Sequence, residues 1–185
     1  RAQLCRPPRS ASDGRRRVSH TQHKSAAPTK VSVAVITLSD TRDEGSDKSG
    51  QLIKQKLEEN GHQVMHYAVV KDTARQIKGV LAIVCEKSAC QAVILNGGTG
   101  ISPRDNTFEV VDRMLDKRIP GFGEIFRFLS YQEIGSAAIM SRATAGTYRG
   151  RIIMSLPGST GAVRLAMDEL ILPELGHLVA TIQPR

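Results

Sequence analysis

No apolar run in this 185-residue sequence approaches the roughly 18 residues that a membrane-crossing helix needs. No charged-then-apolar opening resembles a secretory signal either. Cysteine is scarce: Cys5, Cys85 and Cys90 form no Cys-x-x-Cys pair and share no metal-type spacing with histidine. An odd number without a framework points to a reducing compartment, the cytoplasm, with Cys85 and Cys90 as buried inert thiols. Both common nucleotide fingerprints are missing as well, the six-residue dinucleotide motif and the Walker A loop with its Gly-Lys-Ser/Thr.

Positive charge is missing from where a nucleic-acid binder would need it. The net charge is +8, but residues 1–30 carry six Arg, two Lys and one Asp, which is +7 of it. A domain that reads phosphate backbones clusters Lys and Arg on its folded face, so the composition argues against nucleic acid as a partner. The same 30 residues lack Phe, Trp, Tyr and any periodicity. They cannot bury enough apolar area to offset ordering entropy, and disorder is expected there. Their Arg- and Ser-rich, acid-poor composition also fits an organelle transit peptide, but the absence of an amphipathic face on a helix argues against that reading. The expected organisation is a disordered basic tail at 1–30 and one domain at 31–185, long enough for one well-buried core.

What the domain does contain is alternation. Residues 31–38 read as a first strand, ending at Ser39 and Asp40. A loop with Asp43, Glu44, Gly45 and Asp47 leads to a helix through Leu52, Ile53, Lys56 and Leu57, closed by Asn60 and Gly61. Residues 62–70 form a second strand, with His62 and His66 on one face in structural roles. Asp72 sits just beyond it. Ile77, Val80, Leu81 and Val84 then mark one helix face. Residues 92–95 are a short apolar run, read as a strand buried on both faces. A helix over 107–115 is expected to bury Phe108, Val111 and Leu115. Pro120 to Gly123 reads as a break before a helix over 124–133. Residues 140–148 fit a small helix or an excursion strand, and Met65 and Met140 read as core filler. A fourth strand, 151–156, precedes a long helix from 161 to 172, interrupted at Pro173 before last turns to 180. Together these predict a three-layer α/β/α domain with a mainly parallel, Rossmann-like central sheet and right-handed crossovers.

In such sheets ligands bind outside the carboxyl ends of the strands, where strand order reverses. Four sets of residues should gather on that rim: Ser39 and Asp40; Asp72; Gly97 to Asp105; and Pro157, Gly158 and Ser159. The third is the centre of the reading. After the strand come Gly97, Gly98, Thr99 and Gly100, then Ser102, Arg104 and Asp105, then a helix. Glycine admits positive φ and close approach to backbone amides, and a strand–turn–helix entry favours anions. Carboxylates beside a phosphate site make sense when a hard divalent cation neutralises both, and Mg²⁺ needs only one or two of them, such as Asp72 and Asp105. The residues therefore point to Mg²⁺-assisted nucleotidyl or phosphoryl transfer. Each has a plainer role open to it: Asp72 as a helix cap, Asp40 as a brace, Asp105 or Thr107 as a cap, Arg104 as a solvated charge.

These motifs together resemble the MoaB/Mog family of molybdenum cofactor biosynthesis, whose members bind molybdopterin. The resemblance is carried by Ser39-Asp40, the 47–50 stretch, Val70-Lys71-Asp72, Gly97-Gly98-Thr99-Gly100 with Ser102-Pro103-Arg104-Asp105, Pro120-Gly121-Phe122-Gly123-Glu124, Ser141-Arg142-Ala143, Leu156-Pro157-Gly158-Ser159 and Pro173-Glu174-Leu175. It spans residues 31 to 180. It implies transfer of AMP from Mg-ATP to the terminal phosphate of molybdopterin, with release of pyrophosphate. A molybdate-insertion protein would then take the product. By position, Asp72 and Asp105 are implied as functional aspartates holding Mg²⁺, and Gly97 to Gly100 as a phosphate cradle. Ser102, Arg104, Ser39, Asp40, Gly158 and Ser159 would line the nucleotide and pterin pockets. A trimer, or a hexamer, is the implied assembly. A member that binds molybdopterin or nucleotide without transfer would carry the same motifs.

Overall fold

The computed structural model describes residues 28–87 and 89–183, so the tail expected at 1–30 falls outside the described residues except for its last three. One sheet runs through the molecule. Its strands are β1 (Ser32–Leu38), β2 (Gln63–Val70), β3 (Ala92–Asn96), β4 (Lys117–Arg118), β5 (Thr144–Tyr148) and β6 (Arg151–Leu156), in the order β2-β1-β3-β6-β5-β4. The first four of that order pair in parallel; β5 and β4 are antiparallel additions at one edge. Among the described residues six α-helices pack on it: α1 (Lys48–Glu59), α2 (Ala74–Lys87), α3 (Thr107–Met114), α4 (Pro120–Ile134), α5 (Thr160–Ala166) and α6 (Leu172–Ile182).

Both faces of the central strands are covered, which is why they read as nearly continuous apolar runs, broken only by buried polar residues such as Thr37 and Ser155. Val33, Val35, Ile94, Met154 and Leu156 point to one side, packed with Ile53 and Leu57 of α1, Phe126 of α4, Val163 of α5 and Leu175 and Val179 of α6. Ala34, Ile36, Leu38, Val93, Leu95 and Ile153 point to the other, against Ile77, Leu81 and Val84 of α2 and Val110 and Val111 of α3. This is the expected three-layer α/β/α arrangement. Strand β2 is an edge, and its half-exposed residues explain its weak alternation. His62 precedes β2, and its Nδ1 accepts from Val31 N at 3.2 Å, a structural role.

Several local expectations change. Residues 140–148 contain the strand β5, preceded by a 3₁₀ turn at Gly135–Met140. Pro120 does not break the chain; it occupies the first turn of α4, where its missing N–H has no partner to lose. Gly123 is needed inside that helix because a Cβ would press on Ala143 O, at 2.6 Å. In α3 the buried positions are Thr107, Val110 and Val111, while Phe108 is only partly covered. Met65 and Met140 are 44% and 53% exposed, so neither fills the core. Pro173 lies within a continuous helical run. Having no N–H, it is accommodated by a widened π turn over Met167–Ile171, in which Leu172 N bonds to Met167 O.

The strand order places the reversal between β1 and β3, and the carboxyl ends of β1, β3 and β6 open onto one rim. Among the described residues, no helix is long and apolar enough to cross a membrane.

Candidate active site

The rim holds a cleft of about 600 Å³ lined by Ser39, Asp40, Arg42, Asp72, Gly97 to Gly100, Ser102, Arg104, Asp105, Met140, Ser141 and Gly158, among others. Ser39, Asp40 and Asp72 meet here with every residue of the Gly97 to Asp105 set except Ile101 and Pro103. From the fourth set expected from the sequence, Pro157 and Gly158 line the cleft. Ser159 instead caps α5, its hydroxyl accepting from Ala162 N at 3.3 Å.

The floor is built by glycines that nothing larger could replace. Gly97 and Gly98 have φ of +102° and +61°, in the left-handed region that other residues avoid. A Cβ on Gly97 would strike Leu38 O; on Gly98 it would strike Asp72 Oδ2 and Thr107 Oγ1. The turn leaves four successive amides open: among the described residues, no acceptor reaches the N–H groups of Gly98, Thr99, Gly100 or Ile101. Unpaired amides at the mouth of a cleft are a site for an anion.

Asp72 stands over this floor and is 7% exposed. Its Oδ1 accepts from Thr107 Oγ1 at 3.0 Å, and its Oδ2 from Asn106 N at 3.4 Å. No amide of α2 is among its donors. The nearest helix-capping bond is that of Thr73, whose Oγ1 accepts from Gln76 N at 3.4 Å, so Asp72 is not the cap that its position suggests. Burial pushes its carboxyl above the ordinary range, the bonds from Thr107 and Asn106 oppose this, and the charges of Asp105 and Asp40 add to it. Asp105 folds back on the same loop: its Oδ2 accepts from Ser102 N at 3.0 Å and lies where a Cβ on Gly100 would be. It is not the cap of α3 either, and the Thr107 hydroxyl is directed to Asp72 instead. Asp40 pairs with the exposed Arg104 at 3.4 Å.

The donor chemistry fits a hard divalent cation. Asp72 and Asp105 both line one cleft, and the charge of Asp105 is felt at Asp72. Among the described residues no three His, Cys, Asp or Glu side chains form a closed cage. An open pair of this kind suits magnesium, which keeps several waters and completes its shell with substrate oxygens.

Two further groups shape the cleft; the sequence placed them in motifs of the family resemblance without giving them a role. Asp47 is fully buried and accepts from Thr37 Oγ1 at 2.5 Å, Tyr67 Oη at 2.8 Å, and Ser49 Oγ and Gly50 N at 3.0 Å each. Through Thr37 and Ser49 it reaches Asn96, the last residue of β3. Arg42 adds bonds to Ser49 Oγ at 2.9 Å and Gly158 O at 3.2 Å. The knot therefore ties three loops of the rim together. Asp47 also caps α1, and a polar residue before a helix is the local physical signal it gave, beside its place in the 47–50 motif. The second group is Arg142, whose guanidinium bonds to Thr99 O at 2.9 Å, to Gly100 O and to Glu109.

Residues 34–177 match the family described as "Probable molybdopterin binding domain". This chain belongs to that molybdopterin-binding family. A protein of Halalkalibacterium halodurans named molybdenum cofactor biosynthesis protein B is 53% identical over 166 residues, covering 89% of this chain and 98% of the relative. A crystal structure of a molybdenum cofactor biosynthesis protein B superposes with a TM-score of 0.82 at 50% identity, over 84% of this chain and 98% of the other. The Pyrococcus furiosus MoaB structure, titled a tungsten cofactor synthesizing protein, gives 0.78 at 37% identity, over 85% and 100%. The MoaB/Mog resemblance read from the motifs is thereby shown for the family and the fold.

Proposed function

We propose that this chain acts in molybdenum cofactor biosynthesis by transferring AMP from Mg-ATP to the terminal phosphate of molybdopterin. The observation that carries the reading is that Asp72 and Asp105 line one open cleft together with Gly98, Thr99 and Gly100, whose amides have no acceptor among the described residues. Membership in a molybdopterin-binding family supports the pterin as one ligand.

The reaction asks little covalent chemistry of the protein. An oxygen of the pterin phosphate attacks the α-phosphorus of ATP, a new P–O bond forms, and the bond to the β-phosphate bridge breaks to release pyrophosphate. The nucleophile is already an anion, so no side chain needs to take a proton from it. Catalysis then consists of aligning two anions and stabilising charge at the α-phosphorus. The amides of Gly98 to Ile101 would receive the nucleotide phosphates. Asp72 and Asp105 would hold the magnesium ion, which, when bound, offsets phosphate charge. Ser39, Ser102 and Gly158 would border the ligands, while Arg104, paired with Asp40, would offer a cation at the mouth.

The assembly we propose is a homo-oligomer, trimeric or hexameric, in the cytoplasm. It is supported by an apolar band along α4, where Ile125, Phe128, Tyr131 and Ile134 are each at least half exposed. The band continues through Ile139 to Met140, which also lines the cleft. A patch of this length is more than a monomer ordinarily leaves to water, and a second copy of the chain is its proposed cover. A downstream molybdate-inserting protein would take the product.

Pyrophosphate release tests the reaction. It is expected only when ATP, Mg²⁺ and molybdopterin are all present with the purified chain. Binding of both ligands with no pyrophosphate would make this a non-catalytic binder and overturn the transfer reading.

A further inference from the structure

Arg142 lies between the 3₁₀ turn and β5, yet its guanidinium is committed to the glycine loop. It donates to Thr99 O at 2.9 Å and to Gly100 O, pairs with the Glu109 carboxylate on α3, and stacks 5.0 Å from the centre of the Phe108 ring. It stands behind the loop and is not among the residues that line the cleft. The preceding carbonyl, Gly98 O, is held by Thr107 N at 3.0 Å. Three successive carbonyls are thus held by Arg142 and by the first turn of α3.

Planarity carries the consequence to the other side. In a trans peptide the next residue's N–H points opposite to the carbonyl. With the carbonyls of residues 98, 99 and 100 held in this way, the N–H groups of Thr99, Gly100 and Ile101 point away from Arg142 and from α3. Gly100 and Ile101 are exposed, and glycine imposes little barrier of its own to a change of peptide orientation. One flipped peptide would put a carbonyl oxygen where the anion sits.

We propose that Arg142 is the positioning residue of the anion loop. It does not touch the nucleotide; it holds the Thr99 and Gly100 carbonyls so that the amides face the phosphates, and Glu109 anchors it from α3. The proposal rests on reading the loop as a phosphate cradle. A direct phosphate ligand would keep one edge of its fork free for two parallel bonds. Here the guanidinium's Nε, Nη1 and Nη2 all meet protein acceptors.

Glu109 gives the decisive sign. Replacing it with Gln removes negative charge near an anion site, which by Coulomb's law alone tightens ATP binding. If Arg142 is a strut, the same change loosens its anchor and weakens binding. The test uses the full chain as Arg142→Gln, Arg142→Lys and Glu109→Gln. Mg-ATP binding is read by calorimetry. The rigidity of the Thr99, Gly100 and Ile101 amides in the ligand-free protein is read by ¹⁵N heteronuclear NOE. Losing two bonds from a charged donor should weaken ATP about tenfold or more in Arg142→Gln. Arg142→Lys should fall between that variant and wild type. Glu109→Gln should also weaken binding, and the NOE of the three amides should drop in every variant. In turnover, the KM for ATP should rise more than kcat falls. Tighter or unchanged binding in Glu109→Gln overturns the proposal, as do amides that stay as rigid as in wild type. Should Arg142→Gln fail to fold, Glu109→Gln and Arg142→Lys still decide it. If the wild-type chain binds no ATP, the cradle reading fails by itself, and the NOE alone decides whether Arg142 holds the loop.

Discussion

Replacing Asp47 with alanine removes the acceptor at the centre of the buried knot that joins the rim loops. Four donors lose a partner: the hydroxyls of Thr37, Tyr67 and Ser49, and the N–H of Gly50. A buried polar group left unpaired costs about 1–3 kcal/mol. Tyr67 is only partly buried and can turn to water, and Ser49 has Asn96 Oδ1 at 2.9 Å as an alternative acceptor. Thr37 and the α1 cap therefore carry the loss, which sums to about 3–5 kcal/mol. For a chain of this size the melting temperature should fall by about 6–20 °C. Urea unfolding followed by circular dichroism at fixed protein concentration measures it. A loss under about 1 kcal/mol at pH 7 would refute the estimate of what an orphaned hydroxyl and amide cost here. The pH dependence has a definite sign. Burial raises the Asp47 carboxyl, but bonds from Thr37, Gly50, Tyr67 and Ser49 outweigh it and leave it below its ordinary range. A carboxyl lowered on folding stabilises above its unfolded value, about pH 4, and loses that contribution as pH falls through its folded value. The gap between wild type and Asp47→Ala should therefore be constant from pH 7 to about 5 and narrow below about 4.

Other perturbations have equally definite outcomes. Gly98→Ala meets both a positive φ of +61° and a collision with Asp72 Oδ2 and Thr107 Oγ1. It should lower stability by about 1–3 kcal/mol and displace Asp72, so that activity falls further than the thermal melt alone explains. Phe128→Glu puts a charge in the centre of the α4 band without touching the core, since Phe128 is 62% exposed. Sedimentation velocity should then show a smaller species than wild type, and an unchanged species would remove the case for that band as the interface.

The sheet and the rim could be read from sequence because their determinants are local. Residues of β1 and β3 form nearly continuous apolar runs, and such runs are what a strand covered on both faces requires. Once these strands are taken as parallel, the rule of carboxyl ends brings Asp40, Asp72 and the glycine turn together without further information. What escaped the sequence depended on partners far along the chain. Asp47 looks like one more loop acid until Thr37, Tyr67 and Asn96 close around it. Arg142 belongs to a motif of the resemblance, but nothing local shows its role, because its carbonyl acceptors lie 42 and 43 residues earlier. Strand β4 gives no sequence signal because it has two residues, and β5 stays open between helix and strand in the sequence because its small and polar side chains give no clear period. Pro120 and Pro173 were both read as breaks, yet one sits where a helix needs no N–H and the other is absorbed by a wider turn.

The direct test of the transfer reading follows the product itself. ATP, Mg²⁺ and molybdopterin are incubated with wild type, Asp72→Asn and Asp105→Asn, and adenylylated molybdopterin is measured by mass spectrometry beside a thermal melt of each protein. The expected result is product from wild type and about a hundredfold less or lower from each variant, with both variants still folded. Product formed at the wild-type rate by either folded variant would contradict the claim that these two aspartates act together at one phosphate.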